Sequence, residues 1–76
     1  MNELDTVVLT TDVPTARLEK GDVGTVVHRH ENDGFEVEFV SGAGETLAVL
    51  TLSGDDLRPI AGREILHVRA LPEFSE

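Results

Sequence analysis

At 76 residues the chain is long enough for one hydrophobic core and too short for two. It has no cysteine, which excludes a disulfide framework and any thiolate metal site. Its formal charge of −9, with only six Lys and Arg, opposes nucleic-acid binding, because grip on phosphate depends on cationic side chains displacing counterions. The charge suits solubility, a basic protein partner or divalent cations. Small secreted domains usually need disulfide staples, no apolar run approaches the roughly 20 residues of a membrane span, and the acidic start Met1–Asp5 lacks the character of a signal peptide. A cytoplasmic location, with no membrane contact, is the expectation.

The first strand is expected over Leu4–Thr10, where Thr6, Val7, Val8 and Thr10 favour extended backbone. Thr11–Thr15 reads as a turn, since Pro14 disfavours helix at Val13 and cannot donate to a ladder. Leu18 is the one strong apolar anchor of the long loop from Asp12 to Lys20, and is expected to plug one end of a barrel. The stretch from Leu18 to Val27 organises the rest. Gly21 gives φ freedom, Gly24 gives close backbone approach, and Asp22 suits a hydrogen bond to its own local backbone. The second strand then runs from Val23 to His30.

Glu31-Asn32-Asp33-Gly34 reads as a hairpin turn. With Asp33 and Gly34 as its two loop residues, Arg29 would face Glu38. Phe35 to Val40 alternates cleanly, placing Phe35, Val37 and Phe39 on the core face and Glu36 and Glu38 outside. After a turn at Ser41–Gly44, the fourth strand (Glu45–Leu52) breaks alternation, because Leu47, Ala48, Val49 and Leu50 are all apolar. A strand apolar on both faces is expected to be covered on both. Ser53 can cap a short helical turn with Asp55 and Asp56 at its positive end, and Arg58-Pro59-Ile60 reads as a short closing strand. Beyond the joint at Ala61-Gly62, Arg63–Leu71 alternates as an extra strand. It would cover the open face of the fourth strand, in the same chain or a neighbouring one, with a short helix as the competitor. Pro72 ends it, and Phe74 is the one apolar group of a polar tail.

The expected fold is therefore all-β: a small SH3-like barrel of about five strands over residues 1–60, with a helical turn before the last barrel strand. A C-terminal extension, a strand plus polar tail, occupies residues 61–76.

Several blocks together resemble a known family. They are Leu4–Leu9, Leu18–Val27, Phe35–Val40, Leu50–Leu52 and Leu57–Ile60. In this order they look like the DUF4926-type family of short bacterial proteins, over about residues 4–60. The resemblance implies an SH3-like barrel with no established activity. Some members look like accessory genes beside toxin-like genes, which suggests an immunity or antitoxin role. The bend Lys20-Gly21-Asp22-Val23-Gly24 is also similar to the KOW motif of ribosomal and transcription-factor barrels, but lacks that motif's basic residues.

His28 and His30 share a strand face and are the candidates for metal ligands, with Glu36, Glu38 or His67 as further donors. Their spacing matches no compact metal motif, so surface histidines on a polar face are the expectation, with no metal. Asp55 and Asp56 are sequence neighbours that point apart and make no acid–base pair. No nucleophile elbow, anchored triad or phosphate loop is present, and a barrel this small fills its interior with side chains. The expectation is a non-enzyme without cofactor.

Three function classes follow. The first is an acidic protein-interaction module for a basic partner, in its narrower form a toxin-like one, with Asp55, Asp56, Leu66, Val68 and Phe74 as the partner-binding residues. The second is a nucleic-acid-associated barrel, which the charge opposes. The third is a self-associating structural domain, a homodimer with the C-terminal strand exchanged or paired between chains by β-augmentation.

Overall fold

A computed structural model describes residues 1–71. Five strands form one antiparallel sheet: β1 (Thr6–Leu9), β2 (Val23–Arg29), β3 (Gly34–Val40), β4 (Thr46–Ser53) and β5 (Leu57–Pro59). Their order is β4-β3-β2-β1-β5, so β4 and β5 are the edges. Side chains from β1, β2, β3 and β5 meet in one buried cluster, with Ala48, Leu50 and Leu52 of β4 packed against it. A single sheet whose two ends reach the same core is curled, and the barrel-like all-β architecture expected from the sequence is the one observed.

β3 keeps the predicted alternation. Phe35, Val37 and Phe39 are buried, while Glu36 and Glu38 lie half-buried on the outer side. Gly24 lies beneath them. A Cβ there would sit 2.6 Å from Val37 Cγ1 and 2.9 Å from Phe39 Cε1, so the absence of a side chain lets β2 and β3 close over the core. Leu18, 5% exposed, closes one end of this core as expected. The loop that carries it folds back on itself. Pro14 opens a 3₁₀ turn over Pro14–Ala16, Arg17 turns left-handed, and Val13 and Leu18 exchange backbone hydrogen bonds. Ser53 caps a second 3₁₀ turn, Gly54–Asp56, by accepting from Asp55 N.

Several details depart from the sequence reading. β1 begins at Thr6 because Leu4 adopts φ +71°, held by the Asp5 N to Asn2 O bond and by Asn2 N donating to Asp5 Oδ2. The β2–β3 turn centres on Asn32 and Asp33, both at φ +63°, and the ladder shifts register at Val27. Arg29 therefore faces Phe35, and Glu38 faces Thr25.

β4 is covered on one side only. Ala48, Leu50 and Leu52 turn inward, while Leu47 (44% exposed) and Val49 (53% exposed) face outward. The extra strand expected over Arg63–Leu71 does not form, and no helix takes its place. Among the described residues that segment has no ladder partner, and Leu66 and Val68 are 63% and 88% exposed, so the two apolar stretches do not cover one another. The cause lies in the polar members of the alternation. Glu64 and Arg69 each find a strong ionic partner on the barrel, and those contacts fix the segment's path. The edge strand β5 offers only three residues and ends in Pro59, which cannot donate.

Candidate functional site

The bend between Glu19 and Val23 is built from its own backbone. Gly21, at φ +96°, donates to Leu9 O, Leu9 N donates back to Asp22 O, and Asp22 Oδ2 accepts from Glu19 N at 2.8 Å. This leaves the Asp22 carboxylate aimed outward, where it receives Arg69. The guanidinium donates Nε to Oδ1 at 2.8 Å and Nη2 to Oδ2 at 2.7 Å. It also donates to Arg17 O at 3.2 Å and stands 3.6 Å from Glu19. A planar guanidinium facing both oxygens of one carboxylate is the strongest geometry for such a pair. The Arg69 hydrogen bonds hold the Asp22 carboxyl below its ordinary value against the opposing effect of partial burial, and Asp22 in turn raises the Arg69 guanidinium.

A second anchor lies nearer the barrel's last strand. Arg58 donates to both oxygens of Glu64 at 2.7 and 2.6 Å, and Ala61 N donates to the same carboxylate at 2.7 Å. These bonds lower the Glu64 carboxyl from 4.5 to about 2. Between the anchors, Ile65, Leu66 and Val68 are displayed to solvent. Past the second anchor, Arg69 and Leu71 border an open groove of about 440 Å³ with Phe39, Val40 and Leu47 on its opposite wall.

Asp55 and Asp56 stand in the 3₁₀ turn that joins β4 to β5. The β2–β3 turn packs onto this corner: Gly54 N donates to Asp33 O at 3.0 Å, and a Cβ on Gly54 would lie 2.6 Å from the Asp33 carboxylate. The fold thus adds Asp33 to the two acids singled out from the sequence. Thr10 fixes the corner by donating its N–H to Asp56 O and its hydroxyl to Asp55 O.

His28 and His30 come together on the outer face, with ring centroids 4.5 Å apart in an edge arrangement. His30 Nε2 is 3.0 Å from Glu36 Oε1, and His28 Nδ1 is 3.7 Å from Glu3. Glu38 is taken up by Thr46, whose hydroxyl donates to it at 2.6 Å. Among the described residues no group of three His, Asp or Glu side chains is arranged to hold a metal ion.

Of the residues singled out beforehand, Leu66 and Val68 lie on the exposed segment, Asp55 and Asp56 at the acidic corner, and Phe74 lies outside the described residues. The sequence reading missed Arg69 and Asp33. Nothing in their local sequence marks them, since each acquires its partner only through the fold. Among the described residues no helix is long and apolar enough to cross a membrane. Comparison with curated proteins and with solved structures finds no match to this chain. A family model does match residues 3–59, spanning all five strands and both 3₁₀ turns, and on that match the chain belongs to the family described as domain of unknown function DUF4926.

Proposed function

We propose that this protein is a small acidic interaction module, without catalytic activity or cofactor, that binds a basic protein in the cytoplasm. The observation that carries the reading is the acidic corner. The β2–β3 turn brings Asp33 against Gly54, beside Asp55 and Asp56, on a chain of net charge −9. A rigid acidic corner on an acidic body steers a cationic partner into contact and speeds encounter more than it raises final affinity. The narrower form of the reading is an immunity- or antitoxin-like protein that neutralises a basic toxin. Nucleic-acid association is disfavoured by the same charge, and Arg69, which lies against the glycine bend, is engaged by Asp22.

The test is kinetic. A protein captured from native cells on the immobilised chain is purified, and its association rate is measured at low and high salt against wild type and the Asp55→Lys/Asp56→Lys variant. The reading predicts a basic partner, an on-rate at least about tenfold lower for the variant at low salt, and a much weaker salt dependence. An on-rate that is equal for the two proteins and indifferent to salt contradicts it.

A further inference from the structure

β4 is an unguarded edge. It runs for eight residues, TLAVLTLS, with no charge and no proline, and among the described residues nothing pairs with its outer side. Native edges of this length are usually blunted by lysine, proline, a bulge or a covering segment, because a free row of N–H and C=O groups recruits other chains. The bulge of β4 lies at its start, opposite Val40, and leaves Val49 to Ser53 flat against β3.

The same chain carries an apolar segment without a ladder. The stretch from Ile65 to Val68 is held away from the sheet between the Arg58–Glu64 and Asp22–Arg69 anchors, its apolar side chains in water and its backbone without a sheet partner. A strand edge lacking a partner and an exposed apolar segment lacking a sheet are a complementary pair. Val68 and Leu47 already border one groove, so the arm and the start of the edge open to the same side of the molecule.

We infer that the occupant of the β4 edge is the arm of a second copy of this chain, added as a sixth strand. Charge favours this copy-to-copy fit despite the net −9. Within residues 61–71 Glu64 is taken by Arg58 and Arg69 by Asp22, which leaves Arg63 as the arm's uncommitted charge among the described residues. β4 is uncharged but bracketed by Glu45 before it and Asp55 and Asp56 after it. Arg63 is exposed and makes no ion pair among the described residues, so it is available to one of these acids. One added strand buries little for a stable dimer. With two-fold symmetry each copy gives one arm and one edge, which doubles the contact and closes the assembly. This inference is separate from the basic-partner reading, since it needs no foreign protein and shares with that reading only Asp55 and Asp56.

Sedimentation equilibrium of the full chain tests it, with two variants at exposed positions: an arm variant, Leu66→Lys/Val68→Lys, and an edge variant, Val49→Lys. Wild type is expected to dimerise below roughly millimolar concentration, and each variant to weaken dimerisation at least about a hundredfold while keeping the wild-type melting temperature. Mixing the two variants should recover part of the association, tighter than either variant alone and weaker than wild type, because the heterodimer keeps one intact arm-on-edge contact where each variant homodimer keeps none. A wild-type monomer at roughly millimolar concentration, or a dimer that survives both substitutions, overturns the inference. A dimer lost in the edge variant but untouched in the arm variant also overturns it, pointing to edge-to-edge pairing of two β4 strands.

Discussion

Asp22 and Arg69, 47 residues apart, share two hydrogen bonds of 2.8 and 2.7 Å, and this pair, together with Arg58 and Glu64, ties the C-terminal segment to the barrel. Asp22 also closes its own turn by accepting from Glu19 N. The two partners are therefore unequal. Replacing Asp22 with Ala removes both the turn bond and the anchor, and is expected to lower stability by about 1–2 kcal/mol. Replacing Arg69 with Ala removes the anchor alone. It should leave the urea midpoint closer to wild type while speeding amide exchange in residues 63–71. Equal effects of the two on the midpoint would mean the turn bond contributes nothing.

Acid should loosen the arm before the sheet. Asp22 and Glu64 both have carboxyls held below their unfolded values, Glu64 down to about 2 from 4.5. A lowered folded pKa contributes stability that is present above the unfolded value and is lost as pH falls through the folded one. The loss should therefore begin near pH 4.5 and be complete near pH 2. Thermal melts between these limits should fall less steeply for Asp22→Asn and for Glu64→Gln than for wild type. Parallel slopes in all three proteins would contradict the two anchors.

The glycines are expected to separate by what surrounds them. Gly24→Ala must displace Val37 and Phe39, an overpacking cost of about 1–3 kcal/mol. Gly42 has open space around it and no left-handed φ, so Gly42→Ala should be neutral or slightly stabilising. Urea midpoints of the two variants make the comparison.

Phe39, 2% exposed, lies over Gly24 in the centre of the core. Phe39→Ala is expected to cost about 3–5 kcal/mol, a large share of what a domain of this size possesses. A midpoint that hardly moved would invalidate the inward face assigned to β3.

Leu4 tests the opposite direction. It is 80% exposed at φ +71°, where a leucine is strained and gains no packing in return. Asn tolerates that conformation, so Leu4→Asn should raise stability by about 0.5–1 kcal/mol while keeping the Leu4 N to Val26 O bond. A lower midpoint would show that Leu4 has an apolar partner.

What the sequence made legible was local. The alternation of Phe35, Val37 and Phe39, the Ser53 cap and the glycines of the bend each state their structure within a few residues, and the folded chain agrees with them. The C-terminal segment misled for the same reason. Ile65 to Leu71 alternates like a strand, but alternation specifies only which side chains share a face, not whether an edge is at hand. Its course is set by Arg69 and Glu64 meeting barrel residues, and Asp22 gave no sign of a second role beyond its turn. β4 misled by composition, since Leu47 and Val49 look like a buried face until the segment that should cover them is anchored elsewhere. Of the candidate site, Asp55 and Asp56 could be read from the chain. Asp33 joins them only because the β2–β3 turn folds over Gly54.

The central claim is that the arm is pinned by Arg69 on Asp22 and so displays Ile65 to Val68. The Nε–H resonance of Arg69 reports on it most directly. The structure predicts a shifted, slowly exchanging Arg69 Nε–H signal in wild type that moves to the free-arginine position and exchanges rapidly in Asp22→Asn. A wild-type signal already at the free-arginine position, unaffected by the substitution, would contradict the account.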